Sequence, residues 1–135
     1  MITLLERGHK ALTRGEYDKA SKFFQAYRRA HPGRAASWEV EVAEVYMASL
    51  PGSPFYNPVQ ARIAAKALSP LPIKPSSVHS SSLLLHQMLE VLLKEQRDAS
   101  SLKAQVKTLK NDIAVREAAL KRLRELTLGQ QVGGL

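Results

Sequence analysis

Four histidines and no cysteine bound the chemistry open to this chain. His9, His31, His79 and His86 are spread over separate segments, and none reads as having a second histidine or a carboxylate at metal-ligand spacing. Surface or turn histidine is the expected role for all four. Without cysteine there is no disulfide framework, no thiolate metal site and no cysteine nucleophile. Glu39, Glu41 and Glu44 crowd three carboxylates into a short stretch beside Trp38. Glu41 and Glu44, with Trp38 between turns, favour the polar rim of an amphipathic helix over a carboxylate cluster. No strand is predicted, so no glycine-rich phosphate loop follows one. The sequence therefore assigns no catalytic residue, no metal ligand and no cofactor site, and it points to binding rather than to an enzyme.

What could bind is written in residues 85–127. With Leu85 at heptad position a, the a and d positions are Leu85, Met88, Leu92, Glu95, Ala99, Leu102, Val106, Leu109, Ile113, Arg116, Leu120, Leu123 and Thr127. Steps of three and four alternate throughout, the average of about 3.5 that keeps an apolar seam on one face of a supercoiling helix. One helix cannot bury such a seam against itself. The predicted partner-binding residues are Leu102, Val106, Leu109, Ile113, Arg116, Leu120 and Leu123. Glu95, Arg116 and Thr127 weaken a parallel homodimer, because like charges would meet in register. Of its flanking pairs, Asp98 with Lys103 attracts and Asp112 with Glu117 repels. A heteromeric or antiparallel arrangement stays open beside the parallel one.

The elements that carry this seam are helical. The 135 residues are 44% hydrophobic and 24% charged, the composition of a folded chain with room for one modest domain and an extension. Gly8, Gly15, Tyr17, Ala20, Phe24 and Pro32 fall on the offsets of a tetratricopeptide repeat, whose period is about 34 residues. Gly8 and Ala20 are small where two antiparallel helices cross, Gly15 breaks the chain at the turn, and Tyr17 and Phe24 fill the inner face. His31, Pro32 and Gly33 stop the second helix. One period on, Trp38 opens a second, degenerate repeat, with Val42 and Val45 on its stripe. A proline-bearing interruption follows before Asn57 caps a fourth helix over 58–68, which contains Val59, Ile63, Ala64 and Ala67.

The expected fold is all-α: a tetratricopeptide-like domain over 1–68, a proline-rich linker over 69–79, a coiled-coil helix over 80–128 and a flexible tail over 129–135. Ser80, Ser81 or Ser82 is expected to cap the long helix. Residues 83–93 carry more apolar surface than a seam needs, so they are expected to pack on several neighbours, helix four or a partner among them.

The net charge is +8, and residues 1–34 hold eight basic against three acidic groups. An acidic partner or a polyanion is thereby favoured. Lys103, Lys107, Lys110, Lys121, Arg122 and Arg124 alternate with acids inside the heptads, whereas a basic zipper concentrates its cations before them. The coil has no aromatic residue for base stacking. Nucleic acid is not the expected partner. The basic hairpin face, with Lys10, Arg14, Lys19, Lys22, Arg28, Arg29 and Arg34, is the better candidate for an anion or acidic protein. The longest apolar run, 83–93, falls short of the roughly 18 to 20 residues of a membrane span. The N-terminus lacks a signal peptide's basic n-region, as would a chain trimmed of its signal. Localisation is left open.

From Trp38 to Leu126 the order of parts resembles the QseG (YfhG) type of bacterial envelope lipoprotein. The Trp38 helix ending near Ser49, the Arg62–Ile63 helix to Leu68, the proline-bearing linker and the apolar helix leading into a coil carry the likeness. So does the closing stretch from Arg116 to Leu126. The lipidation cysteine of that family is missing from this sequence. The resemblance implies an accessory protein in the periplasm, held to the outer membrane through a removed lipid anchor, that binds the sensor domain of a two-component histidine kinase. It supplies no catalytic residues. A generic scaffold or secretion-assembly adaptor is the first alternative, and a basic nucleic-acid-associated protein the second.

Overall fold

Helix α1 (Leu4–Thr13) starts where Thr3 Oγ1 accepts the N–H of Glu6 at 3.1 Å, a side-chain N-cap. It ends in a turn at Gly15, whose φ of 74° suits a residue without a Cβ. Helix α2 (Tyr17–Ala30) packs back on α1, burying Ala20, Phe24 and Tyr27 while α1 buries Leu5, Gly8, Ala11 and Leu12. The computed structural model describes residues 2–68 and 74–133, and among these the fold is all-α.

The crossing of α1 and α2 explains why position 8 is glycine. A Cβ there would lie 2.5 Å from the Phe24 ring, which is itself fully buried. Gly8→Ala is therefore expected to destabilise by about 1 to 3 kcal/mol through overpacking. Gly52→Ala, in open space, should leave the thermal midpoint unmoved. Circular dichroism melts of the two variants check this, and equal midpoints would remove the close crossing from the account.

Helix α3 (Arg34–Ser49) packs on α2, and α4 (Pro58–Leu68) packs on α3. Trp38, Val42 and Val45 are buried, and so are Val40, Ala43 and Met47. The helix is thus covered on more than one stripe, the situation of a central element. Asn57 caps α4 as its sequence suggests, with Oδ1 accepting the N–H of Gln60 at 3.3 Å. Helix α4 buries Ala61 and Leu68 and leaves Val59 and Ile63 exposed.

Residues 69–73, with two of the linker prolines, lie outside the described residues. Pro75–Ser77 form one 3₁₀ turn, and α5 (Ser80–Gly133) follows. The chain divides into two compact units, Met1–Lys94 and Glu95–Leu135. The first therefore runs past Leu68 and takes in the opening turns of α5. There Ser82, Leu85, Leu89 and Leu93 are buried, and the three leucines join the core with Leu5, Phe24 and Trp38. This corrects the heptad reading at its start. Met88, a d position, is 50% exposed, whereas Leu89 is 1% exposed. A helix lying on a globular core buries a face set by a 3.6-residue turn, not a coiled-coil seam. Helix α5 also continues to Gly133, through part of the expected tail; residues 134–135 lie outside the described residues.

Candidate interaction surface

Between Glu95 and Leu128 there is no proline or glycine, and most residues are straight-chain or alanine. Such residues lose little freedom in a helix, so this part of α5 has the propensity to form. Every side chain over 97–129 is exposed. The predicted residues Leu102, Val106, Leu109, Ile113, Leu120 and Leu123 share one stripe by their spacing, and each is 48 to 60% exposed. Arg116 stands among them, also exposed. The Thr127 hydroxyl donates to Leu123 O at 2.8 Å, so this polar a residue is satisfied within its own helix. Val115, Leu126 and Leu128 are further exposed apolar side chains off the seam.

The first unit holds a polar centre that the spacing of the glutamates does not announce. Glu39, unlike the two glutamates that follow it on α3, is only 2% exposed. Its Oε1 accepts the Tyr27 hydroxyl at 2.8 Å. Its Oε2 accepts the His79 backbone N–H at 2.9 Å and the Ser82 hydroxyl at 2.8 Å, and lies 3.0 Å from His79 Nδ1. In a capping box, an acidic residue of the first turn returns to the N–H of the capping residue. Here the carboxylate comes from α3 and performs that role for α5, whose first residue is Ser80. The expected serine cap is replaced by Glu39. Glu41 is exposed, and Glu44 accepts from Gln25 at 2.9 Å and Arg28 at 3.1 Å, so these two do form a rim.

Electrostatics match the geometry. Burial pushes the Glu39 carboxyl up, but its donors outweigh burial and hold it below the usual carboxylate range. Tyr27 is pushed well above the usual phenol range by burial and by its bond to Glu39. The arrangement brings serine, histidine and carboxylate together without a catalytic order. Ser82 donates to the acid, not to the imidazole, and is fully buried. It is a clamp on the start of α5.

The other histidines occupy packed positions. The His9 ring lies tilted beside that of Phe24, 5.6 Å between centres, and its Nε2 is buried with no hydrogen-bond partner among the described residues. Burial lowers its pKa, keeping the ring neutral. His86 lies 5.2 Å from the Trp38 ring, and its Nε2 is 3.4 Å from Glu90. That i, i+4 pair was present in the sequence. Among the described residues, no three His, Asp or Glu side chains converge as a metal site. A shallow groove of about 610 Å³ runs over the same unit, lined by His9, Leu12, Tyr17, Tyr46, Leu84 and Met88 among others. On the basic hairpin face, Lys19 lies 3.4 Å from Glu16 and Arg28 pairs with Glu44.

Fold and surface define a class: an all-α chain of helical hairpins with a long helix whose heptad seam is left open. No described helix is long and apolar enough to cross a membrane. Comparison with protein families, with curated proteins and with solved structures finds no match.

Proposed function

We propose that this chain is a non-enzymatic protein-interaction module that works by pairing α5 beyond Glu95 with another helix. One observation carries the reading: six apolar seam residues are exposed together on one stripe. Fully burying an aliphatic side chain stabilises by about 1.5 to 3 kcal/mol, so a helix laid along the stripe gains substantially even after the cost of ordering. Helix-in-groove recognition uses anchors at this spacing. Arg116 in the middle of the stripe favours a partner that offers it a carboxylate or carbonyl.

The finer reading is an accessory regulator that binds the sensor domain of a bacterial two-component kinase. It is supported by the resemblance of residues 38–126 to the envelope lipoproteins described above. Calorimetric titration against the sensor domain of a histidine kinase encoded beside this chain tests it. Saturable binding at one site per chain or per dimer is the expected result, and no heat of binding would overturn the kinase reading. Random duplex DNA serves as the contrast. Binding to it should be weak at physiological salt, and tight binding with a steep salt slope would move the function to nucleic acid.

A further inference from the structure

We propose that the helix occupying the seam is that of a second copy of this chain, running antiparallel, in the register that sets Val106 against Leu109 of the other copy. The proposal rests on the reading of the seam as a helix-binding surface and names its occupant.

In a parallel, in-register pair every seam residue meets itself. Glu95 would face Glu95 and Arg116 would face Arg116, while Asp112 would flank Glu117. Like charges in two core layers oppose that arrangement. An antiparallel pair instead sets a positions against d positions. In the proposed register Val106 faces Leu109, Leu102 faces Ile113, Ala99 faces Arg116 and Glu95 faces Leu120.

Ala99 is the smallest residue at any a or d position of the seam, and Arg116 is its largest polar one. Placing them together leaves room for the arginine stem to run out of the core and for its head to reach solvent. Asp98 of the second copy is beside that level and Glu95 lies one turn away, so the guanidinium has acceptors of opposite charge. One heptad along in either direction, Arg116 would meet Val106 or Leu92, both larger. On one edge Gln105 faces Asp112 and Asp98 faces Ala119, with no like-charge pair. The other edge sets Lys103 near Lys110, a repulsion that is small where both groups are solvated.

The absence of native cysteine allows a direct test by disulfide trapping in the full chain. Leu102→Cys and Ile113→Cys proteins are mixed under mild oxidation. A disulfide between the two variants is expected, and neither variant alone should link. In this register the two copies of residue 102 are offset along the axis by about 16 Å, at roughly 1.5 Å per residue. That exceeds the roughly 7 Å limit on Cα separation for a disulfide. Efficient linking of Leu102→Cys to itself would show parallel pairing and overturn the proposal. A monomer in sedimentation with no linking would also overturn it, yet would leave the seam to a different protein, as kinase titration would reveal. Adding Arg116→Leu to both variants should lose selectivity, with self-linked species appearing beside the mixed one. Full retention of selectivity would remove Arg116 from the setting of register.

Discussion

Replacing Glu39 by leucine is expected to destabilise the first unit by roughly 3 kcal/mol or more, because each buried donor left without an acceptor costs about 1 to 3 kcal/mol. The Tyr27 hydroxyl, the Ser82 hydroxyl and the His79 N–H all lose their acceptor at once. For a unit of this size the midpoint should fall by about 10 °C or more. Glu41→Leu, at an exposed position of the same helix, should change it little. A circular dichroism melt in which the two variants behave alike would show that Glu39 is not what holds α5 to the hairpins.

The same carboxylate makes stability depend on pH, and its sign is fixed. The folded Glu39 pKa is below its unfolded value, so the unfolded chain takes up the proton first as pH falls. The contribution is full above the ordinary carboxylate range and is lost as pH drops through the folded pKa. His9 acts with the same sign at higher pH. Burial lowers its pKa, so the unfolded imidazole charges near an ordinary value of about 6.5 while the folded one stays neutral. Urea midpoints measured down from neutral pH should therefore fall in two stages. Glu39→Leu should abolish the lower stage and keep the upper.

Whether a residue's role can be read from sequence follows the range of the contact that fixes it. Gly8, Ala20 and Phe24 were legible because their roles lie inside one hairpin, where i to i+12 and i+16 spacing already implies a crossing. Asn57 and Pro58 were legible because a cap is made by neighbours. Glu39 was not, since its donors come from two separate segments, Tyr27 in α2 and His79 with Ser82 at the start of α5, the last 43 residues away. A carboxylate two residues before another looks like solvent surface until the helix covering it is placed. The extra apolar surface of residues 83–93 was legible, but the face that α5 buries there, centred on Leu89, was not. The heptad that governs residues 99–127 continues in sequence back to Leu85, but the hairpin domain covers α5 there and selects a different face. The stripe from Leu102 to Leu123 is read from spacing alone, because α5 is helical throughout it and those side chains are exposed.

Leu109→Asp should abolish pairing through α5 while leaving the first unit intact. Leu109 lies mid-stripe and is 60% exposed in the single chain, so the substitution disturbs no existing packing. In a paired state it would bury a carboxylate against apolar neighbours, at a cost of about 3 to 5 kcal/mol where no partner charge answers it. In the antiparallel register that cost enters twice, once from each copy. At about 1.4 kcal/mol per tenfold, association should weaken by at least a hundredfold. Helicity should fall with it at low concentration, because a helix without tertiary contacts is only marginally stable in water. Lys107→Ala, two residues away on another face, should alter neither mass nor helicity. Sedimentation equilibrium and far-ultraviolet circular dichroism read both variants, and the melt of the first unit provides the internal control. Arg116→Leu should act in the opposite direction on mass and in the same direction on function. An uninterrupted apolar stripe associates more strongly and less selectively, so the native complex should lose affinity as aggregates gain it. Sensor-domain binding that survives both Leu109→Asp and Arg116→Leu unchanged would take the interaction off the coil and place it on the basic face of α1 and α2.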